Sequence, residues 1–331
     1  MKCDPCLYKK ENKHGNITCI LAVYVDDILL TGNESEINQT TSLIKKYFEI
    51  KELGDTKFII GIKFERYNNG YILHQKRYIN DLLIKFKDEN IYPTNNIKPI
   101  NDEKLRNISI DKIKYRSAVG NLLYFSISTR PDIIYAVSKV ARKTKDPNLE
   151  DWKNILKIMG YLKCTINYGL TFNSNSKIKA YSDAGYAGDK DTRKSTTRYI
   201  ITICGTPISW WSKLQHCVST STAEAEYYSL TKCSKQCIWY LNLLRELNIN
   251  TKTIEINVDN KAAIFIAANE LTNQKTKHID IRYHYVRELI KENKIKLRHI
   301  NSKLNIADGL TKYLNNSLMI KFRNQILSKF N

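Results

Sequence analysis

From Ile178 onward the apolar residues change period in an ordered succession, and this restricts the fold more than any other feature. Ile178–Ser182, Ser195–Cys204 and Pro207–Lys213 are short runs rich in β-branched and aromatic residues, as strands are. A helical stretch from about Thr222 to Leu247 follows, then a strand at Ile254–Val258 and helices at Asn260–Ala268 and Asp280–Asn293. A strand at Lys296–Ile300 and a short closing helix from Asn305 complete the series. Three strands followed by helices and strands in turn predict an α/β arrangement with a mixed sheet.

The first half has a different character. Ile20–Val25 and Ile28–Leu30 flank Asp26–Asp27, a β-hairpin with an acidic tip, and Glu34–Phe48 suits a surface helix. Phe58–Glu65 and Tyr71–His74 predict a second hairpin across Asn68–Asn69–Gly70, followed by a helix at Tyr78–Phe86. Asn90–Lys112 is polar, holds Pro93 and Pro99 and lacks periodicity, as a linker does. Three helices are expected beyond it, at Lys114–Ser128, Asp132–Lys145 and Leu149–Cys164.

At 331 residues, with 42% hydrophobic and 26% charged residues, the chain can build about two packed domains. The net charge of +20 favours polyanions, nucleic acid first and acidic membrane second. No apolar run approaches the roughly 20 residues that cross a bilayer. Met1–Lys13 is polar, carries Asp4 and Glu11, and does not read as a signal peptide. An intracellular, cytoplasmic location is expected. Cys3 and Cys6 form one C-x-x-C pair, but no second pair completes a zinc site, so reduced cysteines are expected.

Four carboxylates fall at the ends of the predicted elements: Asp183 in A-Y-S-D-A-G, Glu226 in S-T-A-E-A-E-Y, Asp259 in I-N-V-D-N and Asp308 in N-I-A-D-G. Strand ends and helix starts converge on one edge of an α/β sheet, so these side chains can meet. Hard Mg²⁺ ions take oxygen ligands, and two of them can activate water and stabilise the leaving oxygen of a phosphodiester. Each carboxylate alone also suits a cap or a helix-dipole partner. Glu224 competes with Glu226, because two residues apart on a helix they cannot share a face.

The string Ala180–Asp189, K-S-T at Lys194–Thr196 and I-S-W-W-S-K at Ile208–Lys213 resemble the ribonuclease H region of copia-type LTR retrotransposon Pol polyproteins. So do S-T-A-E-A-E-Y, V-D-N-K-A-A-I, T-K-H-I-D-I-R-Y-H and A-D-G-L-T-K, in the family's order. D-P-C-L-Y at Asp4–Tyr8 and Y-V-D-D at Tyr24–Asp27 resemble the end of a reverse transcriptase palm. Gly61–Phe64, S-T-R-P-D at Ser128–Asp132 and the helix around Trp152 are similar to its thumb and connection.

The resemblance implies a fold of mixed α/β and α+β class. A partial palm would occupy residues 1–100, a helical thumb/connection 101–173 and a ribonuclease H-like domain 174–331. It implies a D-E-D-D site on Asp183, Glu226, Asp259 and Asp308 with two Mg²⁺ ions, or Mn²⁺ in their place. Glu226 is preferred because E-Y-Y-S-L resembles the register that follows the family's catalytic glutamate. Asp26 and Asp27 correspond to two of three polymerase metal ligands. Only 25 residues precede Asp26, and Asp4 and Glu11 match no third-ligand motif, so a relic polymerase site is expected.

The implied activity is hydrolysis of the RNA strand of an RNA–DNA hybrid, with no small-molecule cofactor, no membrane and the rest of a Pol polyprotein as a partner. The alternatives are a non-catalytic nucleic-acid-binding remnant, or an RNA-directed DNA polymerase completed by upstream sequence. Lys275, Lys277, Arg282 and Arg287 form a basic run suited to phosphate contact. His278 and His284 are expected in structural or phosphate-contact roles and His299 in a structural one, with Ser182, Asn260 and Lys194 near the site as positioning groups. Trp210 and Trp211 alternate on a strand, so at least one should be core.

Overall fold

The computed structural model describes residues 1–67, 70–173, 177–269, 277–310 and 312–330, and of residues 277–283 the backbone alone. The described residues form three sheets. The first is a small antiparallel sheet of β1 (Leu7–Glu11), β2 (Ile17–Tyr24) and β3 (Asp27–Gly32), followed by α1 (Glu34–Lys45). The expected hairpin is present, and Val25 turns it at positive φ with Asp26 and Asp27 exposed at the tip. α1 buries no residue completely, as a surface helix should.

The second sheet belongs to a helical unit. It runs β13–β7–β6–β5–β4, antiparallel throughout, with β4 at Phe58–Ile59, β5 at Ile62–Tyr67, β6 at Gly70–His74, β7 at Tyr168–Phe172 and β13 at Ser328–Lys329. Phe58–Glu65 is therefore two strands rather than one. Ile60 and Gly61, both at positive φ, reverse the chain between them.

Four helices pack with this sheet: α2 (Lys76–Lys85), α3 (Lys112–Ser128), α4 (Ile134–Ala141) and α5 (Leu149–Cys164). Side-chain caps fix the starts of α3 and α5, with Asp111 accepting from Ile113 N and Asn148 forming a capping box with Asp151. Their core takes Ile79, Leu82 and Phe86 from α2 and its end, Leu122, Ile155 and Leu162 from α3 and α5, and Met319, Phe322 and Ile326 from a helix at the far end of the sequence. Each such side chain stabilises by roughly 1.5–3 kcal/mol relative to exposure.

A polar network is sealed beneath this core. Arg130 grips Asp132 with two parallel hydrogen bonds, Nε–Oδ1 at 2.9 Å and Nη2–Oδ2 at 2.7 Å. The same guanidinium donates to the carbonyl and hydroxyl of Thr165, and Tyr161 donates its hydroxyl to Asp132.

The stretch expected as a linker is irregular but docked along α5. Ile100 exchanges hydrogen bonds with the Asn154 amide, and Thr94 N donates to Gly160 O. At Gly160 a Cβ would stand 2.1 Å from the Tyr92 carbonyl oxygen, so only glycine allows this approach. Gly160→Ala should therefore destabilise the chain by about 1–3 kcal/mol, because backbone has to move. Urea unfolding measures this, and a loss below a few tenths would mean that the crossing segment yields freely.

The third sheet is mixed, in the order β10–β9–β8–β11–β12. Its strands are β8 (Ile178–Gly185), β9 (Thr196–Ile203), β10 (Thr206–Leu214), β11 (Ile254–Val258) and β12 (Ile295–His299). β8, β9 and β10 pair antiparallel, whereas β11 lies parallel to both β8 and β12. α6 (Thr222–Glu246) lays Tyr227, Leu230, Cys233, Cys237 and Leu241, a helical stripe, on one face against Ala180, Ile201 and Ile256. α7 (Lys261–Ala268) and α8 (Lys277–Lys291) complete this layer.

Ile200 points the other way and joins the core of the helical unit, so β9 is buried on both faces. Trp210 also packs there and donates to Ser126 O, whereas Trp211 stays exposed. The closing helix expected from Asn305 is a 3₁₀ turn at Ile306–Leu310. A longer helix, α9 (Asn316–Ile326), then carries the chain back to the helical unit and into β13. Among the described residues no helix is long and apolar enough to cross a membrane.

Candidate metal centre

Parallel pairing of β8 with β11 sets the site. Val258 pairs with Ser182, which brings Asp259, just past β11, beside Asp183 near the end of β8. α6 begins over the same sheet edge and supplies Glu226 from its first turns. Oxygens of Asp183, Glu226 and Asp259 lie within 4.8 Å of one another. These residues are 43 and 33 positions apart in sequence, and no other such group of His, Cys, Asp or Glu occurs among the described residues.

Glu224 does something else. Its carboxylate accepts from the Thr220 amide and hydroxyl, both at 2.7 Å, while its own amide donates to the Ser221 cap. It locks the helix start that presents Glu226. Asp308 sits in the 3₁₀ turn, part-exposed, paired with Lys312 at 2.9 Å and near enough for its charge to act on Asp183.

Sequence reasoning misses two residues here. Asn305, buried, donates to Ser182 O at 2.9 Å and to Asp259 Oδ1 at 3.4 Å, tying the 3₁₀ turn to both parallel strands. Arg198 of β9, directly opposite Asp183 in the register, donates Nη1 to Asp183 Oδ2 at 2.5 Å. An arginine within a strand reads as an ordinary surface residue, and only the pairing reveals its position.

Burial first, then the charges of Asp183 and Asp259, pushes Glu226 up to about 9. Asp183 rises to about 6 for the same first reason, opposed by Arg198 and helped by Asp259 and Asp308. A carboxyl raised in the folded chain favours the protonated form there. Its stabilising effect is full below its ordinary value of 4.5 and is lost as pH climbs towards 9. In EDTA, stability should therefore fall between pH 5 and pH 8 by more than about 1.4 kcal/mol, the worth of one pKa unit. Glu226→Gln should flatten that slope in thermal melts, and an unchanged slope would place its origin elsewhere.

The donor set fits a hard divalent cation. It consists of oxygens alone, and Glu226 Oε2 is buried without a hydrogen-bond partner. The other candidates lie outside the cluster. Asn260 caps α7 by accepting from Ala263 N, Lys194 is half-buried in the β8–β9 connection, and the buried Ser182 offers its carbonyl to Asn305. Asp26 and Asp27 stand exposed on the first sheet, away from the other carboxylates.

Arg287 donates through Nε and Nη2 to the Ile266 carbonyl, which joins α8 to α7. Lys275 and the side chains of Lys277, His278 and Arg282 lie outside the described residues. His284 is exposed on α8. His299, expected in a structural role, is exposed on β12.

Residues 2–101 match the family described as reverse transcriptase (RNA-dependent DNA polymerase). The Pol polyprotein of transposon TNT 1-94 from Nicotiana tabacum is 38% identical over 93% of this chain and 24% of its own length. That of transposon RE1 from Arabidopsis thaliana is 35% identical over 95% of this chain and 22% of its own length. Among solved structures, LC11-RNase H1 in complex with an RNA/DNA hybrid is 16% identical, with a TM-score of 0.32, covering 40% of this chain and 93% of that one.

The mixed sheet with its flanking helices follows a portion that is reverse transcriptase-like. The chain belongs to the Pol polyproteins of copia-type retrotransposons and corresponds to their C-terminal reverse transcriptase and ribonuclease H portion. It spans about a quarter of the length of the polyproteins it matches.

Proposed function

We propose that this chain hydrolyses the RNA strand of RNA–DNA hybrids, with two Mg²⁺ ions at Asp183, Glu226, Asp259 and Asp308. Residues 174–331 would carry the activity, behind palm and thumb/connection portions at 1–100 and 101–173. The observation that carries this reading is the convergence of three carboxylates from distant elements, one of them with a buried, unpartnered oxygen. When bound, the cations would lower the pKa of the attacking water and neutralise charge building up on the phosphate.

Asp183 and Glu226 would then serve as ligands once their protons leave, and Asn305 would hold Asp259 and the 3₁₀ turn in register. The net charge of +20 suits a polyanionic substrate. Discrimination against DNA duplex would rest on the 2′-hydroxyls in the shallow minor groove of the hybrid.

The test is incubation of the full chain with a labelled hybrid and with the matching DNA duplex, in Mg²⁺, in Mn²⁺ and in EDTA. RNA-strand cleavage that EDTA abolishes, with the duplex spared, is the expected result. A chain that binds hybrid and never cuts it supports the second reading, a nucleic-acid-binding remnant. The ion pair already made by Asp183 with Arg198 favours that reading.

A further inference from the structure

We propose that Arg198 is a built-in counter-cation of the carboxylate centre, holding Asp183 where a divalent ion would bind, so that metal has to displace it. This inference rests on the metal-centre reading above. Both Asp183 oxygens are engaged without metal: Oδ2 accepts from Arg198 Nη1 and Oδ1 from Ala184 N.

The guanidinium has a seat made for it. It lies over Gly185, where a Cβ would stand 2.0 Å from Nη2, so any side chain at that position would collide with it. Alternation along β9 puts Arg198 on the face of Ile200, towards the helical unit and the 3₁₀ turn. The guanidinium and Asp183 are both almost completely buried, which gives their attraction little solvent screening.

The seat is also incomplete. Arg198 Nε is buried with no partner, and so is Glu226 Oε2. A structural ion pair is usually closed by further hydrogen bonds, because open donors and acceptors in a dry site are costly. Here one donor and one acceptor of the same centre stay open, and the guanidinium supplies a single positive charge to three clustered carboxylates. A divalent ion brings twice that charge and gives Glu226 Oε2 a partner. A second cation within a few ångströms opposes its entry. Metal loading is therefore an exchange in which Asp183 gives up Arg198.

The measurement is Mn²⁺ affinity of the full chain, by electron paramagnetic resonance of free Mn²⁺ or by calorimetry, together with the Mn²⁺-induced shift in melting temperature. Arg198→Gln keeps a donor without the charge, and Arg198→Met keeps much of the volume. Both should tighten Mn²⁺ binding by about tenfold or more, and both should melt lower without metal but gain more from it. Arg198→Lys keeps the charge and should stay within about threefold of the unaltered chain. So should Lys312→Gln, which removes a cation from the exposed Asp308 pair instead.

Unchanged or weaker Mn²⁺ affinity in Arg198→Gln overturns the inference and leaves the metal centre standing. A chain that cannot fold without Arg198, even with Mn²⁺ supplied, overturns it as well, since a displaceable counter-ion is dispensable once metal replaces it. Uptake of Mn²⁺ by none of these proteins removes the metal reading and this inference together.

Discussion

Asp183→Asn and Asp259→Asn should each slow cleavage of the RNA strand by roughly a thousandfold, about 4 kcal/mol of transition-state stabilisation. Asparagine preserves size but removes a negative charge that two cations need, so the loss should appear in the rate with the fold intact, although at Asp183 it also puts a donating amide in place of one of two accepting oxygens. Far-ultraviolet circular dichroism checks the fold. Asp259→Asn removes one of several crowded carboxylate charges and should not lower the melting temperature of the metal-free chain, whereas Asp183→Asn strands the buried Arg198 and should lower it. Glu226→Gln should be as damaging, whereas Glu224→Gln should stay within about tenfold, because an amide oxygen can still accept from Thr220. The reverse order would move the centre to the other face of α6. Asp308→Asn should be mildest, since Asp308 is part-exposed at the rim and already paired with Lys312.

The largest expected effect on stability lies away from the centre. Arg130→Met should cost about 3–5 kcal/mol, because it strands the Asp132 carboxylate in a sealed core. Tyr161 would still donate to Asp132, but one neutral hydroxyl cannot replace a bidentate guanidinium. Removing both charges, as Arg130→Met with Asp132→Leu, should recover much of the loss. Urea unfolding of the four proteins of this cycle gives the coupling directly. A single-mutant loss below about 1 kcal/mol would mean that water reaches the site and that the pair is not sealed.

Legibility from sequence followed the range of the interactions. α6 is readable because its apolar stripe and the Ser221 cap are local, and so are β8, β9 and β11 with their apolar runs. Asp183 and Asp259 stand out at the ends of such runs, and Glu226 and Asp308 at the starts of predicted helices. Leu7–Glu11 carries no strand signal: Leu-Tyr-Lys-Lys-Glu is a strand only because β2 offers it a ladder. The turn at Ile60–Gly61 hides within an apolar run, since isoleucine rarely adopts positive φ and nothing in the pattern marks it. α9 has an amphipathic pattern, but its apolar side belongs to a core built more than 150 residues earlier in the sequence, around Leu122 and Ile155. Arg198 and Asn305 were invisible for the same reason, because each is defined by a partner on another element. Glu226 was separable from Glu224 only by family register, whereas in the structure Glu224 accepts from Thr220 and Glu226 joins Asp183 and Asp259.

The return of the chain through α9 and β13 makes the carboxylate sheet an insertion. The polypeptide leaves the helical unit after β7, builds β8 to β12, and rejoins the same unit, where Ser328 and Lys329 pair with Gly169 and Tyr168. The two ends of the inserted segment are thus stapled side by side on one scaffold. A protease nick between β7 and β8 would sever the backbone yet leave both pieces clasped through the shared core. Any excised fragment that begins at β8 and retains α9 carries Met319, Phe322 and Ile326 without the helices that cover them. Such a fragment inherits an adhesive face, whereas the intact chain keeps that face folded inward as the latch joining its two halves.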